Sequence, residues 1–171
     1  MLHFVKCVEM LVKLRGLSED DAFWTCAYAN NQHDLASEVP RDPKDTAFYK
    51  AMNDEACEGI LLILNDAMGS VPAAKPFKRV WCGFEQWFGV QPDAGFEGRG
   101  LLLDIVAFHK GKAELITDGL TQSEKNQEEE DPGVGFRKKV DREKTFPLEV
   151  LREGLAVELQ KAQATEDADR R

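Results

Sequence analysis

The 171-residue chain is long enough for one domain with its own core, and 43% of its residues are apolar. Its net charge of -9 argues against nucleic acid or an anionic membrane as a partner, because a phosphate-binding surface needs clustered Lys and Arg. The longest apolar runs, residues 59–64 and 100–108, are far shorter than the roughly 20 residues that span a bilayer. The N-terminal segment has charges within its apolar pattern and lacks a signal-peptide cleavage site, so we expect a cytoplasmic protein.

The cysteines and histidines do not form a pattern typical of a metal site. Cys7, Cys26, Cys57 and Cys82 lie far apart in apolar surroundings, and none has a partner at a zinc-ligand spacing. Because a free cysteine behaves as a small buried hydrophobe, we predict core thiols, and neither a structural metal nor a disulfide framework.

The first half of the chain predicts a helix, a strand and a second helix. Apolar residues recur at helical spacing over residues 2–15, with Gly16 as a C-cap. The aromatic and apolar segment Phe23 to Ala29 is typical of a buried strand that feeds a polar loop. After a Pro-rich turn, Asp45 or Thr46 can cap a helix that continues through about Ala56.

The next segments alternate between strand and helix patterns. A continuous apolar run, Ile60 to Leu64, is typical of an interior parallel strand. A helix over Phe77 to Gly89 follows Pro76, and a third apolar run covers Leu101 to Phe108. The segment at residues 113–117 is either a hairpin partner or another sheet strand. This order predicts an α/β layered domain with a mostly parallel sheet.

The last third of the chain is charged and then amphipathic. Residues 121–144 contain almost nothing to bury, so we predict a mobile charged loop there. Residues 146–164 have Pro147 in a first-turn position and apolar residues at helical spacing, which predicts a C-terminal helix. We treat residues 1–171 as a single domain, although the chain could be a piece of a larger protein.

Common enzyme motifs are missing from the sequence: it has no GxxxxGK[ST] phosphate loop, no GxSxG nucleophile elbow and no HExxH pair. Two polar sites remain as candidates. Asn30 and Asn31 follow the strand predicted at Phe23 to Ala29, and Asp66 follows the one at Ile60 to Leu64, where α/β sheets present ligand-facing groups. Polar turn formation is an equally good explanation of the asparagines and a better one of the aspartate.

Glu85 is the one acidic residue of the aromatic segment "KPFKRVWCGFEQWF". Residues at i, i+4 and i+7 share a helix face, which places Trp81, Glu85 and Phe88 on one stripe. A carboxylate there either reaches solvent at a boundary, pairs with a base, or faces a cleft in which its pKa would rise. The pattern alone favours the boundary position.

The central sequence resembles Toll/interleukin receptor (TIR) domains. The resemblance rests on "DTAFYKAMNDEACEGILLILND" followed by "FKRVWCGFE", in which Trp81, Cys82 and Glu85 have the W-C-x-x-E spacing. With its "WxxAYANNQ" and "RxWCxFE" patterns, the chain looks most like the divergent TIR-like modules of algae and other protists. The resemblance covers residues 22–90 and, loosely, the strand at residues 101–108.

A TIR resemblance implies a three-layer flavodoxin-like sheet, function through self-association or binding to other TIR-like domains, and in many members cleavage of NAD at the nicotinamide–ribose bond. Carried over by position, Glu85 would be the catalytic carboxylate, steadying an oxocarbenium-like ribose. Trp24 or Trp81 could stack on the base, and Asn30, Asn31 and Asp66 would contact the ligand. NAD would be a substrate, and no cofactor is expected.

Departures from the TIR pattern favour the assembly role. The segment between Ala29 and Asp45 is short for the first helix, second strand and loop of a TIR domain, and residues 121–144 have no counterpart. We therefore predict an intracellular signalling and assembly domain. NAD cleavage is the first alternative, and a non-catalytic ligand-binding or structural fragment of a multidomain protein is the second.

Overall fold

A computed structural model describes residues 2–25, 42–65 and 80–155 of the chain. The elements are α1 (Leu2–Arg15), α2 (Ala47–Met52), β1 (Gly59–Asn65), α3 (Val80–Gly89), β2 (Leu102–His109), β3 (Lys112–Ile116), α4 (Gln122–Glu130), α5 (Val134–Glu143) and α6 (Leu148–Leu155). Short 3₁₀ turns precede α2 and β2. The α/β class predicted from the sequence is confirmed.

The sheet of the described residues is small and mixed. Its strand order is β1-β2-β3, with β1 parallel to β2 and β2 antiparallel to β3. Lys110 and Gly111 connect β2 to β3, and both have positive φ, as a two-residue type I′ hairpin turn requires. The predicted strands at residues 60–64 and 101–108 are confirmed within one residue at each end, and the segment at residues 113–117 is the hairpin partner.

Helices cover both faces of this sheet, because alternate residues of each strand point to opposite sides. On one face, Cys7 and Leu11 of α1 pack with Val106, Phe108 and Leu115. The opposite face has its own cluster, made of Leu62, Leu64, Ala107, Phe146 and Val150. The sequence pattern of continuous apolar strands follows from this two-sided burial.

A third apolar cluster joins α2 and α3 beside β1. Phe48, Met52, Ala94 and Leu101 are buried in it, and Phe84 and Phe88 of α3 pack against it. Thr46 begins α2 as predicted, because its hydroxyl accepts a hydrogen bond from the Tyr49 amide. The cluster holds α3 beside the start of the sheet.

Two of the predicted elements in the first half differ from the structure. Residues 23–25 form neither helix nor strand, so the strand predicted at residues 23–29 is wrong there, and the rest of it lies outside the described residues. The second helix ends at Met52 instead of about Ala56. The Asp54 carboxylate accepts a hydrogen bond from the Ala56 amide, and this local turn competes with helical hydrogen bonding.

The loop predicted at residues 121–144 is wrong, because α4 and α5 occupy it as a helical hairpin. Thr121 and Glu124 form a capping box at the start of α4. Gly135 lets the two helices approach closely, since a Cβ atom at this position would overlap the Glu124 carbonyl. The predicted C-terminal helix is present as α6, and residues 156–164 lie outside the described part.

Candidate functional site

The direction of α3 is fixed by its place between two parallel strands. The chain leaves the carboxyl end of β1 and must return to the start of β2, so α3 runs antiparallel to both strands. A Cβ atom at Gly89 would lie 2.5 Å from Cδ1 of Ile60, the second residue of β1. The last turn of α3 therefore lies against the start of β1, and its first turn lies toward the carboxyl edge of the sheet.

Glu85, the predicted catalytic carboxylate, is half-buried on α3. Glu85 lies one helical turn before Gly89. This turn places Glu85 about 6 Å closer than Gly89 to the carboxyl edge of the sheet. Glu85 is therefore about one helical turn away from the end of α3 that contacts the start of β1.

An aromatic cluster occupies the neighbouring face of α3. The rings of Phe84 and Phe88 are stacked, with centroids 6.4 Å apart. Phe84 also contacts Phe48 at 5.8 Å, and Phe88 contacts Tyr49 at 5.0 Å. With about 100° of rotation per residue, Glu85 lies between this aromatic face and the sheet-facing Gly89. Of the stripe predicted from the sequence, Phe88 belongs to this cluster, and the Trp81 side chain lies outside the described part.

The described residues do not show the other predicted site residues grouped around Glu85. Trp24 is 43% exposed in an irregular segment after α1. Trp81 belongs to the first turn of α3, and its side chain lies outside the described part, as do Asn30, Asn31 and Asp66. The predicted ligand-binding group therefore remains a prediction.

Sequence reasoning missed a buried ion pair between α1 and β2. The Arg15 guanidinium donates two hydrogen bonds to the Asp104 carboxylate, at 2.8 Å from Nε and 2.5 Å from Nη2. The same guanidinium donates to the carbonyls of Asp118 and Leu120. Asp104 also accepts a hydrogen bond from the Asp118 amide. These contacts fix the segment after β3 against the end of α1.

A second ionic group joins the helical hairpin to the same segment. Arg142 of α5 donates to both oxygens of Glu124, at 2.9 and 3.1 Å, and to the hydroxyl of Thr117. Burial alone would raise the pKa of Glu124, but the hydrogen bonds from Arg142 and Thr121 outweigh it and hold this pKa below its usual value. The carboxylate stays ionised and serves to hold α4 and α5 together.

Both ionic groups left a signal in the sequence. Asp104 interrupts the apolar run of β2, and an acid on a two-sided strand needs a cation on the helix that covers it. Thr121 and Glu124 have the S/T-x-x-E spacing of a capping box. Neither pattern indicates which arginine is the partner, because Arg15 and Arg142 are distant in sequence from the acids they bind.

Cys7 and Cys57 are poorly suited to nucleophilic chemistry. Burial raises the pKa of Cys7 to about 11, and it also raises the pKa of Cys57. Both are therefore protonated near neutral pH. The prediction of a core thiol is confirmed for Cys7, whereas Cys57 and Cys82 are half-buried and Cys26 lies outside the described residues.

Within residues 2–25, 42–65 and 80–155, no three His, Cys, Asp or Glu side chains are grouped so that they could hold a metal ion. Of the helices described there, none has the length and apolar character needed to cross a membrane.

Comparisons with protein-family models, with curated proteins and with solved structures found no match to this chain. The TIR resemblance therefore rests on the sequence motifs quoted above.

Proposed function

We propose that this chain is a TIR-like signalling and assembly domain of the cytoplasm that works by binding a second copy of itself or another TIR-like domain. In this proposal the mixed sheet of β1, β2 and β3 is part of a larger flavodoxin-like sheet. The β1–α3–β2 unit supports the proposal, since the W-C-x-x-E residues lie on a helix that follows a parallel strand.

The observation that carries the assembly role is the exposure of large apolar side chains in pairs at helical spacing. Trp87 and Val90, at the end of α3, are each 59% exposed. Phe136 and Val140 on α5 are 56% and 55% exposed. Single exposed apolar residues are ordinary, but adjacent ones on a helix face are typical of protein-binding surfaces.

The position of Glu85 favours assembly over catalysis. Ligands of parallel α/β sheets bind beyond the carboxyl ends of the strands, at the sheet edge. Glu85 lies only one helical turn from Gly89, which lies against Ile60 at the start of β1. In the proposed function, Glu85 has a structural role on the inner face of α3 and no catalytic role.

Self-association tests this proposal. The weight-average mass of the purified protein, measured by sedimentation over a wide concentration range, is expected to rise with concentration. Glu85→Ala is expected to leave this rise intact, because Glu85 lies on the inner side of α3. A protein that stays monomeric at its highest attainable concentration contradicts the proposal.

NAD cleavage is the second candidate, and the half-burial of Glu85 on the apolar helix α3 favours it. In apolar surroundings a carboxylate interacts strongly with a nearby cation, such as an oxocarbenium-like ribose. This candidate predicts that the assembled protein releases nicotinamide from NAD and that Glu85→Gln, which preserves size, abolishes the release. Intact NAD after prolonged incubation with assembled wild-type protein rules it out.

A further inference from the structure

Asp118 and Gly119 form the bend that follows β3. They are the one Asp-Gly pair of the sequence, which contains no Asn-Gly pair. Both residues are exposed, and Gly119 has a φ of +68°. Apart from its chain neighbours, no described residue has a heavy atom within 4 Å of a Cβ atom built on Gly119. The bend therefore has open space beside it.

An Asp-Gly bend contains two groups that can react with each other. The main-chain nitrogen of Gly119 can attack Cγ of Asp118, because the ring that closes has five members and glycine has no side chain to hinder the attack. Within the described part of the chain, the Gly119 amide donates no hydrogen bond, and the Asp118 carboxylate accepts none and forms no ion pair. Both reacting groups are therefore available.

Other aspartates differ in the residue that follows them. Asp131 precedes a proline, which has no amide hydrogen to lose. Asp93 precedes Ala94, which is buried and whose amide donates a hydrogen bond to the Gln91 carbonyl at 3.1 Å. Asp118 is therefore better placed for ring closure than either of these aspartates.

We propose that Asp118–Gly119 is a site of spontaneous isoaspartate formation and that Arg15 directs the reaction to the isoaspartyl product. In the first step the Gly119 nitrogen bonds to Cγ of Asp118. The proton of this nitrogen and the hydroxyl of the carboxylic acid leave together as water, and a cyclic succinimide remains. Water then opens the ring, so the two steps together consume no reagent and leave the mass of the chain unchanged. This inference is independent of the proposed assembly function.

Arg15 binds the carbonyl that decides the product. Ring opening at Cγ restores aspartate, whereas ring opening at the main-chain carbonyl of Asp118 gives isoaspartate. The Arg15 guanidinium donates a hydrogen bond to this carbonyl oxygen at 2.7 Å. A cationic donor stabilises the oxyanion that forms when water attacks a carbonyl carbon. Water is therefore expected to attack the main-chain carbonyl preferentially.

Isomerisation changes the contact between α1 and the segment after β3. The main chain then passes through Cβ and Cγ of Asp118 and is longer by one carbon atom. The oxygen that Arg15 binds becomes part of a free carboxylate, which competes with Asp104 for the same guanidinium. Arg15 also binds the Leu120 carbonyl, and the longer chain shifts this group. Isoaspartate formation is therefore expected to loosen this contact slowly as the protein ages.

Water enriched in heavy oxygen tests the site in the intact folded protein. Each passage through the succinimide adds one oxygen atom from water to residue 118, whichever product forms. The protein is kept for several weeks at neutral pH in this water, digested in ordinary water, and analysed by mass spectrometry with electron-transfer fragmentation. Label is expected to enter Asp118 several-fold faster than Asp93 or Asp131. Uptake at Asp118 that is no faster than at these two controls overturns the proposed site.

The same measurement in urea tests the role of Arg15. Unfolding separates Arg15 from residue 118 and leaves the sequence unchanged. Among the labelled chains, the ratio of isoaspartate to aspartate is expected to be several-fold higher in the folded protein than in urea. Equal ratios in the two states would show that Arg15 does not direct ring opening.

Two variants of residue 118 test whether the folded bend allows ring closure. Asp118→Asn forms the same succinimide with loss of ammonia and is expected to react faster, because an uncharged amide is attacked more readily than an ionised carboxylate. Asp118→Glu is expected to take up little label, since its ring would need six members. Thermal unfolding checks that both variants are folded. If Asp118→Asn reacts in urea but stays unchanged in the folded protein, the fold holds the two groups apart and the proposal is wrong.

Discussion

Two parts of the molecule set carboxylates among apolar residues, and they do so in different ways. In the part formed by α1, the β-hairpin and the α4–α5 hairpin, Asp104 and Glu124 are buried and each accepts paired hydrogen bonds from an arginine. In the part formed by α2 and α3, Glu85 is half-buried on the inner side of α3, and the exposed Trp87 lies on the other side of the same helix.

Burial of an acid does not by itself mark a functional site. Asp104 and Glu124 are the more enclosed carboxylates, yet their hydrogen bonds are used to join distant segments of the chain. A buried acid that binds a guanidinium has a structural role, because separating the two groups would leave an uncompensated buried charge. In the aromatic part, the exposed Trp87 is available for contact with another protein.

The largest expected effect comes from breaking the Arg15–Asp104 pair. Asp104→Ala leaves the Arg15 guanidinium in a buried site with no counter-charge, which typically costs about 3–5 kcal/mol. The free energy of unfolding, measured by urea titration, should fall by about this amount. Asp141→Asn removes an exposed carboxylate and is the matched control, for which little change is expected in dilute solution. Equal stability of the two variants would contradict the structural role of Asp104.

A pair of glycine variants compares the packing of the two parts. Gly135→Ala pushes a methyl group against the Glu124 carbonyl, and backbone cannot move away easily, so a loss of about 1–3 kcal/mol is expected. Gly89→Ala pushes the same group against the end of the Ile60 side chain, which can rotate. Urea titration should therefore rank Gly135→Ala as the more damaging variant, and the reverse order would contradict the close α4–α5 packing.

Acid should weaken the hairpin through Glu124. Its pKa is lower in the folded protein than the ordinary value of 4.5, so the unfolded chain takes up the proton first as the pH falls. The stabilisation is complete above pH 4.5 and is lost as the pH falls through the folded pKa. Glu124→Gln should be less stable than wild type at neutral pH, and the gap should narrow below pH 4.5. A gap that is constant between pH 7 and 3 would exclude this role.

The outline of the fold could be predicted from the sequence where apolar periodicity was strong. The helix at residues 2–15, the strands at residues 60–64 and 101–108 and the helix ending at Gly89 all follow from it. The α4–α5 hairpin could not be found in this way, because its stability comes from Glu124, Arg142 and a glycine contact more than from apolar burial. Partners distant in sequence leave no periodic pattern.

The candidate site was predicted less fully than the fold. Helical spacing predicted a stripe of Trp81, Glu85 and Phe88, and the structure describes Phe88 stacked on Phe84 but not the Trp81 side chain. The place of Glu85 relative to the sheet depends on how α3 returns across it and on the Gly89–Ile60 contact. Spacing within one helix carries no information on either point.

The smallest expected effect is on the exposed side of α3. Trp87→Ala removes a mostly exposed side chain, so the free energy of unfolding should change by no more than about 0.5 kcal/mol. Its ring does contact Phe84 at a centroid distance of 5.9 Å. A loss well above 0.5 kcal/mol in urea titration would show that Trp87 belongs to the aromatic core instead of to the surface.

The mass of the wild-type protein in solution shows whether this chain assembles through its outer faces. Sedimentation equilibrium over a wide range of concentrations should show a weight-average mass that rises from the 19.2 kDa of one chain toward twice that value. A mass that remains at one chain throughout would contradict the account.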